Sequence, residues 1–281
     1  MRYLAPGIIM QNGKDRNVSI YKHGHLLKKC LPLTELIPGI SQPTSIIATG
    51  PSALDYSWDE FRNGERFLIA VNGAPTMLQK IGITPHLLVV TDREFALSGA
   101  KHFAAAPGTP LAIEFLAAAA LAFTAPQFLL DRPVAIIERV NMWYGLPALN
   151  KQTLTRMNEE SGQPFFLPAI ADPACRIGWS YRPELGVFSS RNVVFSSLQI
   201  AIGLGALDLE IIGMDLGGSG RSYTEGQDKR PTQLQEHYES YILPSFQIMH
   251  KALTGRRVKV ANLSPVCPLP AEIFTAATPE D

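Results

Sequence analysis

Cysteine is scarce. Cys30, Cys175 and Cys267 are odd in number, far apart in 281 residues and never in a C-x-x-C spacing. This excludes a disulfide framework and a zinc knuckle, and suits three buried thiols in a reducing compartment. An excess of either charge is also lacking: Lys+Arg and Asp+Glu both total 25. A nucleic-acid partner is therefore not expected. The six histidines form no H-E-x-x-H or other close ligand cluster, so no catalytic metal is expected. The most apolar run, 111–130, is broken by Glu114 and Pro126 and reads as a buried strand followed by a core helix rather than a membrane span. The opening MRYLAPGIIMQNGKDRN has no apolar stretch with a small-residue cleavage site, so a cytoplasmic location is expected. Internal repeats and low-complexity tracts are absent too.

What is present is a rhythm. Apolar runs of strand length recur as SIIAT (45–49), FLIAV (67–71), LLVV (87–90), VAIIE (134–138), LEIIG (209–213) and VKVAN (258–262). Near-continuous Val/Ile-rich runs suit strands buried on both faces of a parallel sheet. Helix-length segments such as 75–82 and 193–205 lie between them, so the expected fold is α/β, a Rossmann-like, doubly wound, mostly parallel sheet. Residues 1–44 read as an N-terminal appendage with an exposed basic stretch, KHGHLLKK (22–29), and 45–281 as one ligand-binding α/β domain. Two stretches are irregular: 141–191, and 216–233 with four glycines, which reads as a lid.

Open parallel sheets bind ligands beyond the carboxyl ends of their strands. The expected strands deliver Thr49, Gly50, Pro51 and Ser52; then Asn72 and Gly73; then Asp92 and Arg93; then Asp215 before the glycine loop. Gly50 permits close backbone approach, Pro51 pre-sets a turn, and Ser52 with Asp55 resembles a capping box that leaves N–H groups free for phosphate. A capped helix without a ligand explains the same residues. Asn72 can read a base edge or a sugar hydroxyl, and an Asn-Gly turn explains it as well. Asp92 offers a carboxylate, with a helix cap or an ion pair to Arg93 as the plainer account. Asp215 also fits an Asx-type turn.

His23 and His25 sit in the basic stretch, and His86 follows Pro85 at a strand start, on the wrong edge of the sheet. His237, in QEHYES directly after the lid, begins a helical pattern from which it can act as a general base near neutral pH, although a lone helical His is commonly just a surface residue.

The run FLIAVNGAPTMLQKIGITPHLLVVTDREF (67–95), with IIGMDLGGSGRSY (211–223) and VANLSPVCPLPAEI (260–273), resembles the lipopolysaccharide-core Kdo transferases of Gram-negative bacteria. A more distant similarity is to the bacterial CMP-sialic acid sialyltransferases, through the Gly-Pro-Ser loop, the Asn after the second strand, the G-x-D strand end before a Ser-Tyr lid, and a His opening the next helix. The resemblance implies a GT-A-like variant of the fold and an inverting transfer without metal or other cofactor. It also implies a CMP-linked keto-sugar acid as donor, and a glycolipid or oligosaccharide acceptor that brings peripheral contact with the inner membrane. Gly50, Pro51, Ser52 and Asn72 would hold the cytidine monophosphate, and Arg191, Arg221, Ser222 and Tyr223 would neutralise its phosphate. His237 matches the sialyltransferase base, with Asp92 the competing base from the Kdo transferases' Thr-Asp strand end. Thr49, Gly73, Arg93, Asp215, Asn262 and Ser264 complete the substrate-binding set. Thr49 and Gly73 depart from the sialyltransferase pattern, which favours Kdo over sialic acid. Two other classes stay open: a pterin pyrophosphokinase-like nucleotide enzyme, which needs Mg²⁺ held by carboxylates, and a non-catalytic carbohydrate-binding protein.

Overall fold

The computed structural model describes residues 5–13, 17–140, 150–163, 165–169, 172, 176–216, 220–222 and 234–274. The chain opens with strands β1 (Ile8–Asn12), β2 (Val18–Lys22) and β3 (His25–Lys29), a separate antiparallel sheet in the order β1-β2-β3. A short helix α1 (Leu33–Leu36) leads to β4 (Thr44–Ile47), β5 (Phe67–Val71), α2 (Ala74–Lys80), β6 (Leu87–Val90), α3 (Arg93–Ser98), α4 (Ala100–Ala104) and β7 (Leu111–Glu114). Next come α5 (Phe115–Thr124), α6 (Gln127–Leu130), β8 (Val134–Ile137) and α7 (Lys151–Ser161). A small antiparallel pair, β9 (Phe166–Pro168) with β10 (Gly178–Ser180), precedes α8 (Val193–Gly203), β11 (Asp208–Ile212), α9 (Leu243–Leu253) and β12 (Lys259–Asn262).

Seven strands pair in the order β12-β11-β4-β5-β6-β7-β8, every neighbouring pair parallel. The expected α/β doubly wound sheet is therefore present. Its period-two alternation divides the apolar residues between two clusters, one on each face. Phe67, Ile69 and Val71 of β5 pack with α8 and α9, while Leu68 and Ala70 pack with α2 and α5. Leu87 and Val89 of β6 divide from Leu88 and Val90 in the same way. Burying each such Leu, Ile or Val on both sides of a sheet contributes roughly 1.5–3 kcal/mol, which is why these segments read as unbroken apolar runs.

From β4 the chain steps outward to β8, then returns to place β11 on the other side of β4. The β4/β11 boundary is thus the topological switch point, where a crevice opens beyond the strand ends. Since α8 and α9 each run back to the start of a parallel strand, their N-termini lie at this same carboxyl edge.

The basic stretch 22–29 is only partly exposed. Lys22 Nζ donates to the carbonyls of Ala122 and Phe123 at 3.2 Å each, and Lys28 Nζ donates to Arg132 O at 2.7 Å. Both lysines tie the N-terminal sheet to the end of α5 and to the turn before β8. The expectation of a fully exposed cationic patch is corrected accordingly. Among the described residues no helix is long and apolar enough to cross a membrane.

Candidate functional site

At the switch point, Gly50, Ser52 and Asp215 form one tightly packed unit. The Asp215 carboxylate accepts from Ser52 N–H at 2.7 Å and from Ser52 Oγ at 2.6 Å. A side chain on Gly50 would lie 2.5 Å from the Gly213 carbonyl oxygen and closer still to the Asp215 carboxylate, so glycine is required by proximity. Two expectations change here. Pro51–Leu54 is a single 3₁₀ turn, and Asp55 merely closes it with its own N–H on Ser52 O, so no capping box forms. The free N–H groups expected to await phosphate are also not free, because Asp215 is the anion this loop already holds.

Neighbouring loops are stitched to the same unit. Ser222 N–H donates to Thr49 O at 2.8 Å, which brings residues 220–222 onto the first loop. Ser264 Oγ accepts from Met214 N–H at 2.7 Å, and Asn262 Oδ1 accepts from Ser264 N–H at 3.2 Å. Burial raises the pKa of the Cys267 thiol, which Asn262 hydrogen-bonds and on which Asp215 acts as a nearby negative charge. Asn262, Ser264 and Asp215 therefore shape the crevice wall.

The next strand ends differ in kind. Asn72, after β5, has φ 46°, a left-handed conformation that Asn tolerates better than most residues, and its Oδ1 is buried without a hydrogen-bond donor. Gly73 precedes α2 with an ordinary right-handed backbone. Asp92 accepts from Glu94 N–H at 2.8 Å as the cap of α3, and Arg93 pairs with Glu94 in an exposed ion pair. The cap fits the plainer account of Asp92 given from sequence, whereas the ion pair that Arg93 makes is with Glu94 and not with Asp92. Glu114, at the end of β7 and 1% exposed, caps α5 through Leu116 and Ala117 N–H, with Arg139 3.6 Å from its other oxygen. Burial pushes the Glu114 pKa up, against the pull of Arg139 and of those two N–H groups. Arg139 also donates to Thr91 O at 3.2 Å.

His237 and Arg191 meet just ahead of the N-termini of the π turn and of α8. Arg191 Nη1 lies 3.0 Å from His237 Nε2, and its guanidinium sits 4.9 Å from the centre of the Tyr241 ring. Tyr241 touches the His237 ring edge-on at 5.6 Å. Arg176 lies 5.4 Å from the same ring and donates to the Tyr241 hydroxyl at 3.0 Å, while the buried Asp172 carboxylate holds Arg176. His237 precedes a π-helical turn, Tyr238–Ile242, in which its carbonyl accepts from both Tyr241 and Ile242 N–H at 3.0 Å. Such turns gather at functional sites.

No family model matches the chain. No curated protein sequence matches it either. Solved structures with a similar chain path include the MAf glycosyltransferase from Magnetospirillum magneticum AMB-1 (15% identity, TM-score 0.49), over 82% of this chain and 33% of that one. The present chain thus spans about a third of that protein's length. Two others are sialyltransferases from Campylobacter jejuni. One is CstII in complex with CMP-3FNeuAc (11% identity, TM-score 0.41, covering 85% of this chain and 90% of that one). The other is the monofunctional alpha-2,3-sialyltransferase Cst-I (14%, 0.40, 84% and 83%). Likeness this coarse carries nothing about activity or substrate.

Several features of the site gave no signal in the sequence. Ser190 and Arg191 are consecutive left-handed residues, φ 49° and 54°, and Ser190 Oγ is buried without a partner. Nothing in a Ser-Arg pair foretells that backbone. Tyr241, Arg176 and Asp172 were equally silent, since they meet only through the fold. Glu114 did leave a trace, as a carboxylate interrupting an apolar run. Arg221 lies near His102 and helps depress its pKa, on the α2/α4 side of the crevice. Tyr223 and the remainder of the lid lie outside the described residues.

Proposed function

We propose that this chain is a glycosyltransferase that moves a keto-sugar acid, Kdo, from a CMP-activated donor to a lipopolysaccharide-core or related glycan acceptor, with inversion and without a metal. One observation carries the proposal. Polar side-chain atoms that a folded protein normally satisfies are left unpaired at Asn72, Ser190 and Ser222, all at or beside the carboxyl edge, together with the left-handed residues Asn72, Ser190 and Arg191. Unsatisfied buried groups and strained backbone collect where a ligand completes the structure. Asn72 and Ser222 belong to segments that resemble the CMP-sugar transferases, and Ser190 and Arg191 lie between those segments in the chain.

In this reaction an acceptor hydroxyl attacks the anomeric carbon, the carbon–oxygen bond to CMP breaks, and the hydroxyl proton passes to a base. His237 is the base, with Asp92 its competitor. Asn72 and the Thr49–Ser52 loop line the nucleotide, and Arg191, Arg221, Ser222 and Tyr223 receive the charge of the departing phosphate. Sialic acid in place of Kdo uses the same groups. Peripheral attachment to an anionic leaflet falls to Lys29 and the His23–His25 turn, since Lys22 and Lys28 are engaged.

The test is CMP release from CMP-Kdo and from CMP-sialic acid, each supplied separately with lipid-A-core acceptor, in the presence and absence of EDTA. Release from CMP-Kdo that survives EDTA is expected. Faster release from CMP-sialic acid moves the donor assignment to sialic acid. Loss on chelation, restored by Mg²⁺, favours the pyrophosphokinase-like alternative.

A further inference from the structure

The Arg191–His237 contact has a chemical direction. A guanidinium has no acceptor, so in the 3.0 Å contact Nε2 of His237 must be the acceptor and its lone pair points at Arg191. A base in that state cannot take a proton from a hydroxyl through Nε2. Arg191 is held in this pose from several sides. Its backbone is left-handed at φ 54°, following Ser190 at φ 49°. Its guanidinium rests against the Tyr241 ring, which Arg176 fixes through the hydroxyl and Asp172 fixes through Arg176. Adjacent left-handed non-glycine residues persist only where surrounding contacts over-determine them.

We propose that Arg191 masks the lone pair of His237 until an anionic donor draws the guanidinium away, and that Tyr241 is the positioning residue that keeps the mask in place. The inference rests on the assignment of His237 as base and of Arg191 as a receiver of the donor's phosphate. To a phosphate a guanidinium can donate two parallel charge-assisted N–H···O bonds with opposite charge on the acceptor, whereas to the imidazole it makes one bond to a neutral nitrogen. Arrival of the donor therefore pulls Arg191 off the imidazole, and the base becomes competent only when a leaving group is in place. Among the described residues, the charged and titratable groups around His237 are Arg191 ahead of α8, Tyr238 and Tyr241 on the π turn, Arg176 behind the Tyr241 ring, and exposed Glu236 and Glu239 beside it in the chain. The two glutamates sit on His237's own segment and move with it, so the masking cation is the one that a ligand phosphate can remove.

The experiment uses the full chain labelled with ¹⁵N-histidine, at a pH where imidazole is neutral, with CMP as the probe and calorimetry to establish saturation. Arg191→Gly supplies the unmasked reference, since glycine suits the left-handed backbone. In the free protein, the His237 Nε2 resonance should differ from that reference, and saturating CMP should bring about loss of the hydrogen-bonded signature. Tyr241→Leu should move the free-protein resonance toward the Arg191→Gly value. Tyr241→Phe, which keeps the ring, should move it less, and it serves in place of Tyr241→Leu should that variant not fold. CMP that binds by calorimetry yet leaves the His237 resonance unchanged overturns the masking proposal while sparing the CMP assignment. Absence of CMP binding overturns the assignment, and the mask falls with it.

Discussion

His102 shows how one buried side chain links stability to pH. Burial lowers its pKa to about 4, with Lys101 and Arg221 adding to the effect, and its Nδ1 lies 2.6 Å from Thr76 Oγ1. Since the folded pKa lies below the unfolded value near 6.5, the neutral ring contributes stability that is present above pH 6.5 and lost as pH falls toward 4. The full linkage amounts to about 3 kcal/mol at most. His102→Gln should therefore lose less stability than the parent between pH 7 and pH 4, read from urea midpoints. Parallel losses in both proteins would place the acid sensitivity elsewhere. The base is a second question at this scale. General-base assistance is worth roughly 10²–10⁴ in rate. His237→Ala should cut turnover by at least the lower figure while CMP affinity is kept or tightened, since Arg191 no longer has an imidazole to leave, and Asp92→Asn should cost mainly the cap of α3. If Asp92→Asn abolishes transfer and His237→Ala barely slows it, the assignments exchange.

At the level of elements, the loop after β4 depends on the one after β11. Gly50 leaves room for the Asp215 carboxylate that seats Ser52, and overpacking of this kind typically costs about 1–3 kcal/mol. Gly50→Ala should lower the unfolding free energy by an amount in that range, read from urea titrations, and weaken CMP binding. A neutral effect on both would mean the two loops are not coupled. The same pair explains what sequence could and could not reveal. Runs such as 67–71 and 87–90 coincide with β5 and β6, because burial on both faces leaves an uninterrupted apolar signature. The helix at 193–205 appears as α8 for the same reason. Residues 8–29 gave no clear pattern: the three strands there bury one face only, and two lysines reach inward, Lys22 to the end of α5 and Lys28 to the turn before β8. The bond between Ser52 and Asp215 spans 163 positions, and no local pattern encodes so distant a partner. Ser52 stands at the end of the first strand as its sequence position predicts, but the vacancy expected beside it is filled by Asp215 of its own chain. Sequence likewise placed His237 at a helix start, whereas the π turn that aims it depends on contacts with Arg191 and Tyr241.

Across the whole molecule, the N-terminal sheet and the parallel sheet share one apolar cluster. Ile8, Val18 and Ile20 are buried with the alanines and Leu121 of α5, whose other side covers β7 and β8. Helix α5 is apolar nearly all round, with seven buried residues among its ten, so it needs protein on both sides. Removing residues 1–29 would expose the outer side of α5, withdraw three fully buried aliphatic side chains, and leave the carbonyls of Ala122 and Phe123 without Lys22. Three such side chains together are worth about 5–9 kcal/mol. That is comparable with the entire 5–15 kcal/mol by which a typical domain is stable. A chain beginning at residue 30 should therefore lack a cooperative unfolding transition, or unfold far below the full-length protein, as followed by circular dichroism on heating. Lys22→Met is the milder comparison, since it keeps the sheet and removes only the helix-end contact; it should lower the midpoint by a few degrees. A truncated chain that melts cooperatively at the parent's temperature would show that 1–29 is an appendage after all, and that α5 finds cover from elsewhere in the chain.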